Sequence, residues 1–269
     1  MELFKELSIT FDFFYDKRYN ILLHREAWPQ SLGFHEAKPW SNKGKVDNWG
    51  YEVSTNWRKQ LTKDLTVDFR GTFTYTQNKY IDLDEPIYPY VWQTATGKPL
   101  NRRNGYIAEG LFQSQEEIDN SPTQNLGSKP MPGDIKYRDV DGNGMIDSKD
   151  QVMISKTAGM PRIQYGFGVN IDWKRFNFGV FFNGSAMRDI DINGLHPFGQ
   201  NDYNAMKFVA ENRWTEANPN PNAEYPRLGL NDSQMSNNSQ SSTYWIRNGN
   251  FLRFKTLEIG YRFDHVRLY

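Results

Sequence analysis

The stretch "LTVDFRGTFTYTQ", residues 65–77, decides the fold. Leu65, Val67, Phe69, Phe73 and Tyr75 alternate with Thr66, Asp68, Arg70, Thr72, Thr74 and Thr76. A period of two places apolar side chains on one face of an extended strand and polar ones on the other. The same alternation runs through "LSITFDFFYDKRYNI" (7–21), where Leu7, Ile9, Phe11, Phe13, Tyr15, Tyr19 and Ile21 oppose Ser8, Thr10, Asp12, Asp16, Arg18 and Asn20. It recurs in "YEVSTNW" (51–57), "IQYGFGVNIDW" (163–173), "FNFGVFFNG" (176–184) and "TLEIGYRF" (256–263), and a further strand begins at "HVRLY". Strands are therefore expected near 7–21, 48–58, 65–79, 162–173, 176–185, 250–263 and 265–269.

The connections choose the architecture. Short turns such as "KQLTKD" and "KR" alternate with long stretches near 22–46, 80–161 and 186–249, rich in Pro, Gly, Asn and Ser. Long structureless connections are uncommon in a compact soluble domain. A transmembrane barrel, by contrast, carries short turns at its periplasmic rim and long loops outside. Several strands reach the roughly 9–11 residues that a tilted strand needs to cross a bilayer. Tyr15, Tyr51, Trp57, Tyr80 and Trp173 fall near strand ends, where aromatic rings suit the membrane interface. The expected fold class is all-β: an antiparallel transmembrane β-barrel portion of about seven strands, with short periplasmic turns and long extracellular loops. The alternative is a soluble, secreted β-sandwich, a carbohydrate-binding module with a structural calcium loop. It explains the alternating strands but not the alternating connections. The low-complexity run "SQMSNNSQSS" (233–242) reads as a mobile loop tip.

Composition narrows the function. Lys plus Arg and Asp plus Glu number 32 each, so no general attraction to nucleic acid follows. There are no cysteines, which removes disulfides, Cys-ligated zinc and thiol chemistry. The first residues, "MELFKELSITFDFFYDKRYN", do not read as a signal peptide, and no run of about 18 apolar residues offers a transmembrane helix. If the chain meets a membrane core, it does so with strands. Catalysis has little support: His24, His35, His196 and His265 are scattered, and no G-x-S-x-G elbow occurs. Gly166 and Gly168 of "YGFGVN" lie in a strand, where small residues permit close packing rather than cradle phosphate. The chain is read as a non-enzyme, with a glycoside hydrolase fragment as a remote third reading.

One stretch asks for a metal. In "DVDGNGMIDSKD" (139–150), Asp139, Asp141, Asn143, Met145, Asp147 and Asp150 occupy positions 1, 3, 5, 7, 9 and 12 of an EF-hand-type loop, with Gly144 at the turn. Oxygens at that spacing wrap calcium, Met145 contributing its backbone carbonyl. Asp150 departs from the pattern, being shorter than the usual bidentate Glu. The competing reading is an Asx-rich turn that satisfies its own backbone. Aromatic residues of the long loops, Tyr88, Tyr90, Trp92, Tyr203, Trp214 and Trp245, are candidates for stacking on sugar rings or peptide side chains.

Five segments together resemble a known family. They are "GKVDNWGYEVS" (44–54), "GYIAEGLFQSQEEIDNSP" (105–122), "PGDIKYRDVDGNGMIDSKD" (132–150), "WTEANPNPNAEYPRL" (214–228) and "YWIRNGNFLRFKTLEIGY" (244–261). In this order they resemble the SusC-like TonB-dependent transporters (the RagA/SusC family) of the Gram-negative outer membrane. The resemblance implies a late part of the barrel, with the plug and N-terminal domains absent from residues 1–269. It implies import of oligosaccharides or peptides, with a SusD-like surface lipoprotein and TonB, acting through the missing plug region, as partners and outer membrane lipid as surroundings. It also implies that the odd-numbered residues of 65–75 and 163–173 face lipid, and the even-numbered ones the lumen.

Overall fold

A computed structural model describes residues 2–3, 6–27, 38–195, 204–229 and 232–263. The elements in chain order are β1 (Glu2–Leu3), β2 (Leu7–His24), β3 (Trp40–Thr62), β4 (Leu65–Asp82), β5 (Arg103–Gly105), β6 (Ala108–Leu111), α1 (Gln115–Asp119), β7 (Thr123–Gln124), β8 (Ile135–Tyr137), β9 (Met145–Ile146) and β10 (Val152–Ser155). Then follow β11 (Ile163–Trp173), β12 (Phe176–Ala186), β13 (Asp189–Asp191), α2 (Lys207–Asn212), α3 (Asp232–Met235), β14 (Ile246–Asn248) and β15 (Phe251–Tyr261). The expected strand at 265–269 lies outside the described residues.

A single large sheet runs β1-β2-β3-β4-β11-β12-β15, every neighbouring pair antiparallel. Residues opposite each other in a ladder share a face. Phe13 stands opposite Tyr51, Tyr51 opposite Tyr75, and Tyr75 opposite Ile163. Val169 stands opposite both Phe69 and Val180, Phe178 opposite Ile259, and Phe176 opposite Tyr261. The alternation read in separate segments is thus one apolar face crossing β2 to β15. Phe11, Phe13, Trp173, Leu252, Phe254 and Ile259 on it are exposed, Ile259 at 74%. The other face carries Thr10, Asp12, Glu52, Ser54, Asp68, Thr72, Asn170, Asn177 and Glu258, in register with one another.

The strands outrun their sequence signal at the end bearing the long connections. β3 spans 23 residues, starting at Trp40 rather than near 48. Residues 40–47 do not alternate; their backbone is held by pairing with β2, from His24 opposite Trp40 to Arg18 opposite Val46. A bulge in β2 around Asn20, whose φ is 57°, brings Ile21 against Gly44, where a Cβ would stand 2.9 Å from that of Ile21.

The long connections, expected as loops, build a packed cap. Residues from the β4–β11 and β12–β15 connections share one core of Tyr106, Leu111, Leu126, Ile135, Tyr137, Ile146, Val209, Trp214, Tyr225 and Trp245. Four small two-stranded sheets, β5 with β10, β13 with β14, β6 with β8 and β7 with β9, frame it. This is also where the reading of 233–242 as a mobile tip fails. Met235, Asn237 and Asn238 are fully buried there. Asn237 accepts from Gln124 Nε2 (2.6 Å) and donates to the Ile135 carbonyl (2.9 Å). Asn238 accepts from the Ile135 amide (2.9 Å) and donates to Asp134 Oδ1 (2.8 Å). Asn and Ser look like solvated loop in a sequence, yet here they satisfy buried backbone, as buried polar groups must.

Candidate functional site

The acidic loop forms as a compact unit on the cap. Asp139 Oδ1 accepts from Gly142 N and its Oδ2 from Gly144 N, both at 2.7 Å, and Gly142 and Gly144 take φ values of 72° and 83° that favour glycine. Asn143 Oδ1 accepts from Met145 N (2.8 Å). Asp147 caps the short 3-10 turn of Ser148–Asp150, accepting from Lys149 N (2.7 Å). Asp150 is wholly buried and ties the loop's two ends together: Val140 N (2.7 Å) and Asp141 N (3.3 Å) donate to one oxygen, Asp147 N (2.9 Å) to the other. The short side chain at position 12 thus suits this loop, because a carboxylate placed close in can reach three amides.

Asp139, Asp141 and Asp150 each offer an oxygen, and the three lie within 4.8 Å of one another. Asp147 stands apart from that trio, turned to its cap. Asp141, half-buried like Asp139, accepts from the Tyr90 hydroxyl at 2.8 Å. That bond holds the Asp141 carboxyl below the usual carboxylate range and pushes the Tyr90 hydroxyl up.

The candidate aromatic residues divide. Tyr90 stacks on Trp92 with centroids 4.5 Å apart, and Trp92 Nε1 donates to the Lys149 carbonyl (2.8 Å), so the pair braces the acidic loop. Tyr88 is exposed at the surface. Trp214 and Trp245 are corrections: both are buried, with Nε1 donating to Gln113 Oε1 (3.2 Å) and to the Asn238 carbonyl (2.9 Å), and neither ring is available for stacking on a ligand. Tyr203 lies outside the described residues.

A buried ion pair that no motif announces organises the cap. Arg227 Nε reaches Asp134 Oδ1 at 2.6 Å, and Asp134 also accepts from Met131 N (2.9 Å). Burial pushes the Asp134 carboxyl up, while Arg227 pulls it down. Beside it, Gly133 (φ 88°) admits the Trp214 ring where a Cβ would meet Cε3 at 2.2 Å.

The sheet's polar face carries its own packing. Gly166 and Gly168 face the Phe181 ring, whose Cδ2 would stand 2.7 Å from a Cβ at Gly168, and Arg70 stacks on that ring at 4.8 Å. The glycines of "YGFGVN" thus make room for an aromatic on the polar side.

No protein-family model matches the chain. The chain is 28% identical over 260 residues to TonB-dependent receptor P26 of Formosa agariphila, a match covering 92% of this chain and 25% of that protein. It is 26% identical over 268 residues to TonB-dependent receptor SusC of Bacteroides thetaiotaomicron, covering 94% of this chain and 24% of that one. The chain therefore spans about a quarter of the length of the curated relatives it matches. Its fold matches the solved RagAB peptide importer in the open-open state with a TM-score of 0.63 at 20% identity, over 96% of this chain and 26% of that one. In the closed-closed state the TM-score is 0.61 at 19% identity, over 95% and 27%. The large sheet and the cap built from its long connections accordingly share the fold of about a quarter of that importer chain, and the sequence is similar to TonB-dependent receptors.

Proposed function

From its kinship with SusC-like TonB-dependent receptors, we propose that this chain forms part of an outer membrane transporter that imports oligosaccharides or peptides. The observation that carries the reading is the division of the sheet into one apolar and one polar face over six consecutive strands. A barrel in lipid needs that division, with apolar side chains outward and a hydrated interior. A β-sandwich would cover its apolar face with a second sheet, and among the described residues no second sheet covers this one. With the apolar face in lipid, the cap stands at the external rim, where a SusD-like lipoprotein would sit; energy would come from TonB through a plug. Import of peptides draws support from the RagAB likeness.

The test is localisation followed by uptake in the native host, using the full-length protein. An epitope inserted at the fully exposed Ile87 should be labelled on intact cells, and the protein should sediment with outer membranes. Uptake of fluorescent peptide digests or neutral oligosaccharides should require both this protein and TonB. A soluble, unlabelled protein would overturn the reading.

The acidic loop has a structural part in the same proposal: calcium held by Asp139, Asp141 and Asp150, with Asn143 and the Met145 carbonyl in reach of the same loop, would fix the cap's outer edge. Calorimetry with calcium at millimolar concentration should show saturable binding that Asp141→Asn abolishes. Asp141 is the informative position, because Asp150 holds three amides and its loss would disturb the loop with or without metal. Absence of binding at that concentration would leave the loop an Asx-rich turn.

A further inference from the structure

We propose that the junction between barrel and cap holds a subsite for an oxyanion, a carboxylate or sulfate carried by the cargo. A cleft of about 440 Å³ opens where β11, β12 and β15 meet the cap, and Lys156, Arg162, Arg188 and Arg247 all line it. The single carboxylate in its wall, Asp189, is committed to the scaffold: one oxygen accepts from the Ser155 hydroxyl and the other from Gly159 N (2.9 Å). Among the described residues none of the four cations forms an ion pair. Arg162 gives Nη2 to the Lys156 carbonyl (3.3 Å), and Arg247 gives Nη1 to the carbonyls of Tyr244 (2.6 Å) and Ile246 (3.2 Å). Each guanidinium keeps further donors, since it carries five N–H groups.

Two covered groups in the wall sharpen the reading. The Thr157 hydroxyl, on a residue only 8% exposed, and Arg188 Nε have no hydrogen-bond partner. Buried polar groups are seldom left so unless something else satisfies them. A planar or tetrahedral oxyanion suits guanidinium forks better than any neutral group, accepting two parallel hydrogen bonds from each. The cleft also adjoins the sheet's polar face, which the transport reading makes the route. Lys156, Thr157 and Arg162 are shared with a second cavity of about 280 Å³, whose walls include Thr76 and Gln164 of the sheet's polar face. Cations gathered there would draw an acidic solute from the cap toward the barrel interior.

The inference rests on the transport reading only in assigning the oxyanion to cargo; binding itself is measured on purified protein. Full-length protein in detergent at low ionic strength is titrated with sodium sulfate, D-glucuronate and N-acetylaspartate, with glucose and N-acetylglycinamide as neutral controls. At least one oxyanion should bind saturably, and which one tells sulfate from sugar carboxylate from peptide carboxylate. Arg188→Gln and Arg162→Gln should each weaken it by about tenfold or more, as expected for losing a charge-assisted bond. Lys156→Gln, at an exposed position, serves as a variant that folds regardless and should weaken binding in the same direction. No saturable oxyanion binding, equal binding of the neutral controls, or affinity unchanged in all three variants would overturn the proposal. Those outcomes leave the transport reading standing, whereas loss of TonB-dependent uptake of neutral cargo would strike the transport reading and not the subsite.

Discussion

Asn238→Ala tests whether the polar run 233–242 is the keystone of the cap. Asn238 is fully buried, and besides a long contact from Asn237 Nδ2 (3.4 Å) its side chain makes two short bonds that alanine cannot replace. One satisfies the amide of Ile135, also fully buried, at 2.9 Å. The other donates to the buried carboxylate of Asp134 at 2.8 Å. An orphaned buried amide costs about 1–3 kcal/mol, and a lost bond to a charged group about 1.5–3 kcal/mol. The sum, about 2.5–6 kcal/mol, is large beside the free energies at which irregular segments open locally. Hydrogen exchange of the full-length protein should show it as faster exchange across 123–137 and 234–246, with the barrel strands unchanged. Asn238→Asp gives a second, sharper signature. It keeps an acceptor for Ile135 N but sets two carboxylates about 2.8 Å apart, and like charges at that distance raise one pKa. A group with a raised folded pKa stabilises below its unfolded value and loses that contribution as pH rises. The Asp variant should therefore be weakest at neutral pH and recover on acidification. A change below about 1 kcal/mol in Asn238→Ala, set against the bond energies above, would show that the run is loop after all.

Two further outcomes follow from the sheet and the rim. Phe69→Arg, on the apolar face opposite Trp57 and Val169, should impair membrane assembly by about 2–4 kcal/mol at mid-bilayer depth, while Asp68→Leu on the polar face should be tolerated; heat-modifiable mobility of outer membrane fractions reports both, and the reverse pattern would invert the facing. At the rim, burial would push Asp84 and Glu85 up. Lys43 and Arg25 overrule this for Asp84, as the Thr96 hydroxyl and the amides of Ala95 and Thr96 do for Glu85, and both carboxyls sit below their ordinary range. Depressed values stabilise above the unfolded pKa, near 4, and are lost as pH falls through the folded values. Exchange in residues 84–98 should accelerate only below about pH 4, and flat exchange down to pH 3 would refute the assignment.

The sheet was legible because one apolar face and one polar face leave a period of two in every strand that crosses them. Where that demand lapses, so does the signal. Residues 40–47 extend β3 past the alternating zone, held by ladder bonds from β2 and β4 that any side chain permits. The acidic loop was legible in part: the spacing brought Asp139, Asp141 and Asp150 together, but it could not show that Asp147 would turn away to cap Lys149 N. The stacking role given to Trp214 and Trp245 failed for a similar reason. An aromatic in a polar connection looks displayed until that connection has a core of its own.

The family segments show why that core was invisible. Four of the five resembling stretches lie wholly or partly in the cap, and they supply Tyr106, Leu111, Ile135, Tyr137, Ile146, Trp214, Tyr225 and Trp245 to its interior. These residues follow neither a helical nor a strand period, because the cap is made of short irregular pieces whose backbone polar groups cannot all pair within regular elements. Side chains must then do that work: Gln124, Asn237 and Asn238 satisfy Ile135 and Tyr137, and Asp134 with Arg227 secures the turn beneath Trp214. Such a core reads as polar loop in sequence and as packed structure in space. A packed cap has a structural consequence: it positions Lys156, Arg162, Arg188 and Arg247 around the cleft where it meets the large sheet. Softening the keystone at Asn238 should accordingly loosen that cationic cleft without touching any residue in it.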